Sequence, residues 1–284
     1  MNRLVCHAFA ALLLLASAQA FAQPAAVIEG VQMPAWVERA GQERQPLMPG
    51  MVLQPGDVIH TGPGSRLLVR MSERSLVKLG ENGQLRLTEM STTSELFRAT
   101  LNVLQGAFRF TTELATKNRR RDVRVSVGNA TAGIRGTDLW GRSRDDTEII
   151  CLIEGAIEVA APGEQPVVMD QPRQFYRRVG GQTQPVGFVE PAQLTQWAQE
   201  TEIERGAGAA RRGGKFQATL LRADSQAAAL PVWQRLRDAG YPAEIRPVRQ
   251  GEQMTYVVRI RNLPSAAEAR ALEARLRKQF NVPG

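Results

Sequence analysis

Apolar residues recur at intervals of two through most of the first 180 positions. Leu67, Val69 and Met71 alternate with Leu68 and Arg70. Val77 and Leu79 precede a Gly80-Glu81-Asn82-Gly83 turn, and Leu85 and Leu87 follow it. The alternation continues at Leu101/Val103, Phe108/Phe110, Val123/Val125/Val127, Ile149/Cys151/Ile153 and Ile157/Val159. Such runs, bounded by Gly, Pro and Asn, predict half-buried strands joined by hairpins. Short strands at this density predict an all-β domain over 23–189. The pattern does not choose among a sandwich, a roll and an irregular barrel. Residues 190–205 read as a helical segment, with Leu194, Trp197 and Thr201 on one face and Pro191 in its first turn.

The grammar then changes. Four Gly in 206–214 predict a flexible linker and a domain boundary. Residues 215–284 read as strand, helix, strand, strand, helix. Phe216, Ala218 and Leu220 form the first strand. Leu230, Trp233 and Leu236 recur at helical spacing before Gly240, with Pro231 expected to delay the helix start. Ala243/Ile245 and Tyr256/Val258/Ile260 are two further strands. Ser265-x-x-Glu268 is a capping box that opens a helix with the stripe Ala269, Leu272, Leu276 and Phe280. Two such helices on one face of a small sheet leave the other face to solvent. Counting by twos places Gln217, Thr219, Glu244, Arg246, Val257, Arg259 and Arg261 there.

The charge follows the same boundary. The chain carries +8 in total. Residues 23–205 hold 21 Lys+Arg against 22 Asp+Glu, whereas 206–284 hold 14 against 6. The C-terminal segment therefore supplies the positive field, which attracts anionic partners. Residues 1–22 read as a cleavable signal peptide: Arg3, an apolar Ala8 to Ala18 stretch, and the small-x-small site Ala20-Phe21-Ala22. No apolar run reaches the ~20 residues that span a bilayer, so no integral membrane span is expected in the mature chain. Export places the mature protein in the periplasm and removes nucleic acid as a partner; the sheet face also lacks the stacked aromatics of RNA-binding sheets. Cleavage removes Cys6 and His7. Cys151 and His60 remain, too few for an internal disulfide or a His- or Cys-based metal site. No cofactor is expected.

Two stretches carry family motifs. Phe216-Gln-Ala-Thr-Leu-Leu221, the helix ending Leu236-Arg-Asp-Ala-Gly240, and Tyr256-Val-Val-Arg-Ile-Arg261 leading into Ser265-Ala-Ala-Glu-Ala269 resemble a SPOR domain. The resemblance implies a ribonucleoprotein-like α+β fold, here βαββα with an abbreviated last strand. It also implies binding of peptidoglycan glycan strands that have lost their stem peptides. The family's usual Gly and Pro after the third strand are Arg261 and Asn262 here, and its usual Gly ending the first strand is Leu221. Residues 27–180 resemble a FecR-type domain. Leu53-Gln-Pro-Gly-Asp57-Val-Ile-His-Thr61-Gly62, Leu79-Gly80, Thr131-Ala-Gly-Ile-Arg135-Gly136-Thr137 and Glu154-Gly155-Ala-Ile-Glu-Val159 carry it in order. That family is named for periplasmic sensors that relay receptor occupancy to a sigma factor. Those sensors have a cytoplasmic segment and a transmembrane helix, which this sequence does not show, so the anti-sigma role is not carried over.

The glycan-binding candidates are Gln217, Thr219, Arg246, Arg259 and Arg261. Guanidinium forks suit sugar hydroxyls and the lactyl carboxylate that stem-peptide removal exposes. Gly56, Asp57, Arg135, Gly136 and Thr137 are motif residues, structural or interacting: glycines for tight turns, Arg135 as an internal tie, Asp57 as a turn residue. Cys151 reads as a buried small hydrophobe and His60 as a strand or turn side chain. A glycoside hydrolase would have to draw paired carboxylates from Asp57, Asp138, Glu148 or Glu154, and no motif assembles them. The reading is a non-catalytic envelope protein, tethered to denuded glycan strands where wall is remodelled, as at a division septum. Its β domain would present a surface to another envelope protein or act as a sensor.

Overall fold

The computed structural model of the chain describes residues 25–282, apart from 94, 113–119 and 135. The stretch 1–22 expected as a signal peptide and Arg135 lie outside the described residues. The N-terminal region is all-β and the C-terminal region is α+β, as the alternation implies.

Two strand layers make up the β domain, and one bent strand belongs to both. Leu96–Thr111 is a single 16-residue strand, where the sequence pattern suggested two. Its first part pairs with Gln84–Thr92 and, in parallel, with Arg120–Val127. Its last part pairs with Leu76–Leu79 and Asp138–Arg144. The bend falls at Gly106, whose φ is +85° and whose absent Cβ would lie 2.7 Å from Gly83 Cα. Only glycine fits a left-handed backbone pressed against another backbone. The inward residues of both layers, among them Leu67, Phe97, Leu101, Phe108 and Leu152, form the core.

Each sequence motif sits where the chain passes from one layer to the other. The ribbon Val58–Thr61/Gln84–Thr92 lies in one layer and continues as Arg66–Met71/Leu76–Leu79 in the other. A second bent ribbon repeats this plan: Ala130–Ile134 pairs with Ile157–Ala160, and Asp138–Arg144 with Thr147–Glu154. Thr61-Gly62 and Gly80 mark the crossings of the first ribbon, Gly136-Thr137 and Gly155 those of the second. A Cβ at Gly155 would lie 2.6 Å from the Gly136 carbonyl, and the Gly155 φ is +94°.

One layer is buried on both faces. In Thr147–Glu154, Ile150 and Leu152 point into the core, while Ile149 and Cys151 join Trp140 and Trp197 in a second cluster. Helix α1 (Pro191–Gln199) builds that cluster. Trp197 stacks on Trp140 at 4.6 Å with 7° between the rings, and Phe175 meets Trp197 edge-on. Stacking of this kind adds roughly 1 kcal/mol beyond area burial. The helix is shorter than the 190–205 expected, and Thr201 is buried in the turn beyond it. Glu200 and Glu202 then bind Arg142 and Arg109 at 2.9 and 3.4 Å, and Glu202 also binds Lys78.

The C-terminal module is a three-stranded sheet in the order Phe216–Ala223, Gln253–Leu263, Glu244–Gln250. Helices α2 (Gln226–Asp238) and α3 (Ala266–Phe280) cover one face through Leu236, Leu272 and Leu276. Pro231 does not delay α2, which starts at Gln226 with Ser225 capping the Ala228 N–H. Pro231 lies about one turn in, where it removes a single bond, to a carbonyl on the exposed first turn. No fourth strand appears among the described residues. At the free edge of Phe216–Ala223, α3 side chains substitute for one: Glu273 accepts the Thr219 N–H at 2.6 Å and Arg277 donates to the Thr219 carbonyl at 3.2 Å.

The Gly-rich segment 206–214 is not the flexible tether its composition predicts. Ala210–Arg211 pairs with the strand Ala26–Gln32, and Ala209 and Ala210 are buried. Glu268 accepts the N–H groups of Gly206 and Gly208 at 2.6 Å each. The capping box is therefore half used: Ser265 caps the Glu268 N–H, while the Glu268 carboxylate holds the segment. Gly208 admits this contact because a Cβ there would lie 2.8 Å from Leu272 Cβ. Buried hydrogen bonds and close backbone approach outweigh the intrinsic freedom of glycine. The modules also meet where the Ala35 N–H donates to the Gly240 carbonyl at 3.2 Å and Trp36 covers Gly240.

Candidate functional site

The uncovered face of the C-terminal sheet carries the charge. Its rows follow from the pairing, since residues directly opposite share a face. One row is Thr219, Arg259 and Glu244; the next is Arg222, Val257 and Arg246. Gln217 and Arg261 complete the near end. Arg222, Arg246 and Gln217 are exposed, and Arg261 retains 57% of its side-chain exposure.

Two features of this face differ from the sequence expectation. Arg222 belongs to it, although counting by twos puts Leu221 there. A β-bulge between Thr219 and Leu221 inserts one residue and flips the parity beyond it, so Leu221 packs against the core. Secondly, Arg259 is not an available fork. Its side chain is 9% exposed, its Nε donates to Glu244 at 2.7 Å and its Nη1 donates to Gln217 at 2.8 Å. Glu244 also binds Arg261 Nε at 2.9 Å. Arg259 is thus a tie across the three strands that orients Gln217, Glu244 and, through Glu244, Arg261. Among the described residues no carboxylate lies within ion-pair distance of Arg222 or Arg246, so their donors point to solvent. Asn262, where the family usually has Pro, takes a left-handed backbone at φ +66°, which the fixed φ of proline does not allow and Asn tolerates.

The β-domain motif residues that are described are held in internal bonds and turns. Asp57 is 2% exposed and accepts from Arg39 Nε and Nη2 at 2.9 and 3.1 Å, and from the Gln54 N–H at 2.9 Å. The bonds to Asp57 hold the Arg39 guanidinium above its usual range. Gly56 precedes it at φ +91° and donates to the Leu87 carbonyl. Thr137 is 3% exposed: its N–H donates to Thr112 Oγ1 at 3.2 Å and its hydroxyl to the Ala156 carbonyl at 3.1 Å. Gly136 supports the same crossing at φ +74°.

Three of the four carboxylates from which a hydrolase pair could be drawn are held by arginines. Asp138 takes a two-pronged bond from Arg109, at 2.9 and 2.6 Å, which raises the Arg109 pKa. Glu148 binds Arg178 at 3.0 Å and the Asn129 N–H at 2.8 Å. Asp57 is tied to Arg39, and Glu154 is exposed at a strand end. Burial pushes the Cys151 thiol up to about 12, which keeps it protonated and unreactive. His60 lies 3.2 Å from Glu38; burial, with Arg44, lowers its pKa against the opposing pull of Glu38. No group of three or more His, Cys, Asp and Glu among the described residues could hold a metal ion. None of the described helices is long and apolar enough to cross a membrane.

Comparison with known proteins matches this division. The family model for FecR protein matches residues 57–158, and that for the SPOR domain matches residues 219–283. The chain thus carries a FecR domain followed by a SPOR domain, both binding or regulatory rather than enzymatic families. No curated protein gives a significant match. Two crystal structures of a Parabacteroides distasonis protein described as an anti-sigma factor are similar at 14 and 15% identity, with TM-scores of 0.41 and 0.40. The alignments cover 70 and 80% of this chain and 98 and 92% of those chains. Likeness at that level carries no argument about activity.

Proposed function

We propose that this is a non-catalytic periplasmic envelope protein whose SPOR domain binds denuded peptidoglycan glycan strands. The observation that carries the reading is the uncovered sheet face, with Arg222, Arg246 and Arg261 directed to solvent. Stripping the stem peptide leaves a lactyl carboxylate on each muramic residue. Charge-assisted bonds to those carboxylates are stronger than neutral ones, which favours stripped strands over peptide-bearing ones. The site residues are Arg222, Arg246 and Arg261 as ligand contacts, with Gln217 and Thr219 beside them and Arg259 as the positioning residue. The FecR domain presents a surface to another envelope protein where wall is remodelled, as at a septum. Because segment 206–214 is docked, that surface is held at a set orientation to the bound strand rather than on a loose tether.

The test is Arg222→Ala with Arg246→Ala in the full chain. Binding to denuded sacculi should weaken about tenfold, with a shallower salt dependence. Unchanged affinity and salt dependence would contradict the assignment. The FecR match over 57–158 favours a second reading, in which the protein is a signalling component that relays receptor state to a membrane partner. Retention of an inner-membrane protein by a mutant that no longer binds glycan would support that reading.

A further inference from the structure

The cationic face does not end at the edge of the C-terminal module. At the corner where Glu244–Gln250 begins and Gln253–Leu263 ends, a crevice of about 20 Å³ is lined by Pro242, Glu244, Arg261 and Asn262 from one side and by Met48 and Pro49 of the β domain from the other. The β-domain loop is held there. The Gly50 N–H donates to the Ile28 carbonyl at 2.8 Å, and the Met51 carbonyl accepts from the Ile28 N–H at 2.9 Å. Ile28 belongs to the strand that also pairs with Ala210–Arg211. The same strand therefore fixes both the loop and the segment leading into the C-terminal sheet.

The chemistry of the corner complements that of the face. The sheet rows offer arginines, an amide, a hydroxyl and the buried Val257, which is 3% exposed. With the half-buried Val248 a row further from the corner, these two rows offer almost no apolar surface. Sugar rings need some, because each ring has polar hydroxyl edges and an apolar C–H face. Met48 is 39% exposed beside the exposed Arg261. A thioether on a flexible chain adapts to such a ring face, and ligand sites combine apolar lining with a few placed polar groups.

We propose that Met48 of the FecR-bearing region, seated on the buried Pro49, is part of the glycan-binding surface, so that the site is built by both modules. The inference rests on the glycan reading of the sheet face. It makes binding a property of the docked pair, and it assigns the FecR-bearing region a direct share in recognition.

The experiment measures binding of full-length variants to sacculi stripped by an amidase, with thermal unfolding of each variant as a control. Met48→Asp places a carboxylate beside the carboxylates of the ligand and removes the apolar contact. It should weaken binding about fivefold with an unchanged melting temperature, and Met48→Leu should bind as the natural chain does. Arg222→Ala with Arg246→Ala is run in parallel. Loss of binding by the arginine variant alone, with Met48→Asp binding normally, would overturn the composite site and leave the glycan reading standing. Normal binding by the arginine variant would overturn the glycan reading and the composite site with it.

Discussion

Arginine does opposite work in the two halves of this chain. In the β domain, net −1 over 23–205, guanidinium groups are spent on carboxylates: Arg39 on Asp57, Arg109 on Asp138, Arg178 on Glu148 and Arg142 on Glu200. In the C-terminal module, net +8, Arg222 and Arg246 face solvent without a carboxylate partner among the described residues. Arg259, buried where its neighbour Arg261 is exposed, is the instructive case. It sits on the ligand face yet is tied to Glu244 and Gln217, as a β-domain arginine would be. Residue type alone does not distinguish a structural arginine from one free to meet a ligand; nor does the nearest carboxylate, since Glu244 pairs with both Arg259, 9% exposed, and Arg261, 57% exposed, and burial separates them.

The sharpest way to break this comparison is to remove one arginine from each half. Arg178→Ala should cost about 3 kcal/mol in urea unfolding, because it leaves Glu148, 11% exposed, without its ion-pair partner. Arg246→Ala should cost under about 0.5 kcal/mol, because an exposed side chain away from packed features contributes little. Equal costs would contradict the division of labour. Next in size, Gly155→Ala should destabilise by about 2 kcal/mol, since φ +94° is unfavourable for any side chain and a Cβ would strike the Gly136 carbonyl. The same substitution at Gly163, at φ +78° but with nothing near its Cβ, should cost less.

The junction tests the comparison differently. Glu268→Gln weakens the acceptor for Gly206 and Gly208 and should cost about 1 kcal/mol, with faster proteolysis within 206–214. Protease resistance like that of the natural chain would mean that the strand pairing of Ala210–Arg211 alone holds the segment. The smallest effect is electrostatic. The pKa of His60 is lower in the folded chain than in the unfolded one, so its contribution is fully present above the ordinary histidine range near 6.5. It is lost as pH falls through that range and levels off below the folded pKa. His60→Gln should flatten the stability profile as pH falls below the ordinary histidine range near 6.5, and an unchanged slope would remove His60 from the account.

Local features of the fold were legible and long-range ones were not. The strand alternation, the Ser265 cap, and helix α1 around Trp197 follow from spacing. So does most of the cationic face. Arg222 was hidden because a bulge inserts a residue without any special side chain to announce it. Arg259 read as a free fork because the approach of Glu244 and Gln217 depends on pairing register across three strands. The glycines of 206–214 read as a flexible linker; the hint to the contrary was the small apolar pair Ala209-Ala210, which is buried. The contact of Gly155 with Gly136 joins two motifs that the sequence presents as separate signatures. Trp36 on Gly240 and Met48 beside Arg261 bring together residues some 200 apart in the chain, a distance over which periodicity is silent.

The central claim is that this chain recognises glycan strands by what amidases uncover. Co-sedimentation of the full-length protein with purified sacculi, before and after the stem peptides are stripped, tests it most directly. Binding that rises on stripping and falls with added salt is the predicted result. Equal binding to both sacculi, or binding to neither, would contradict it.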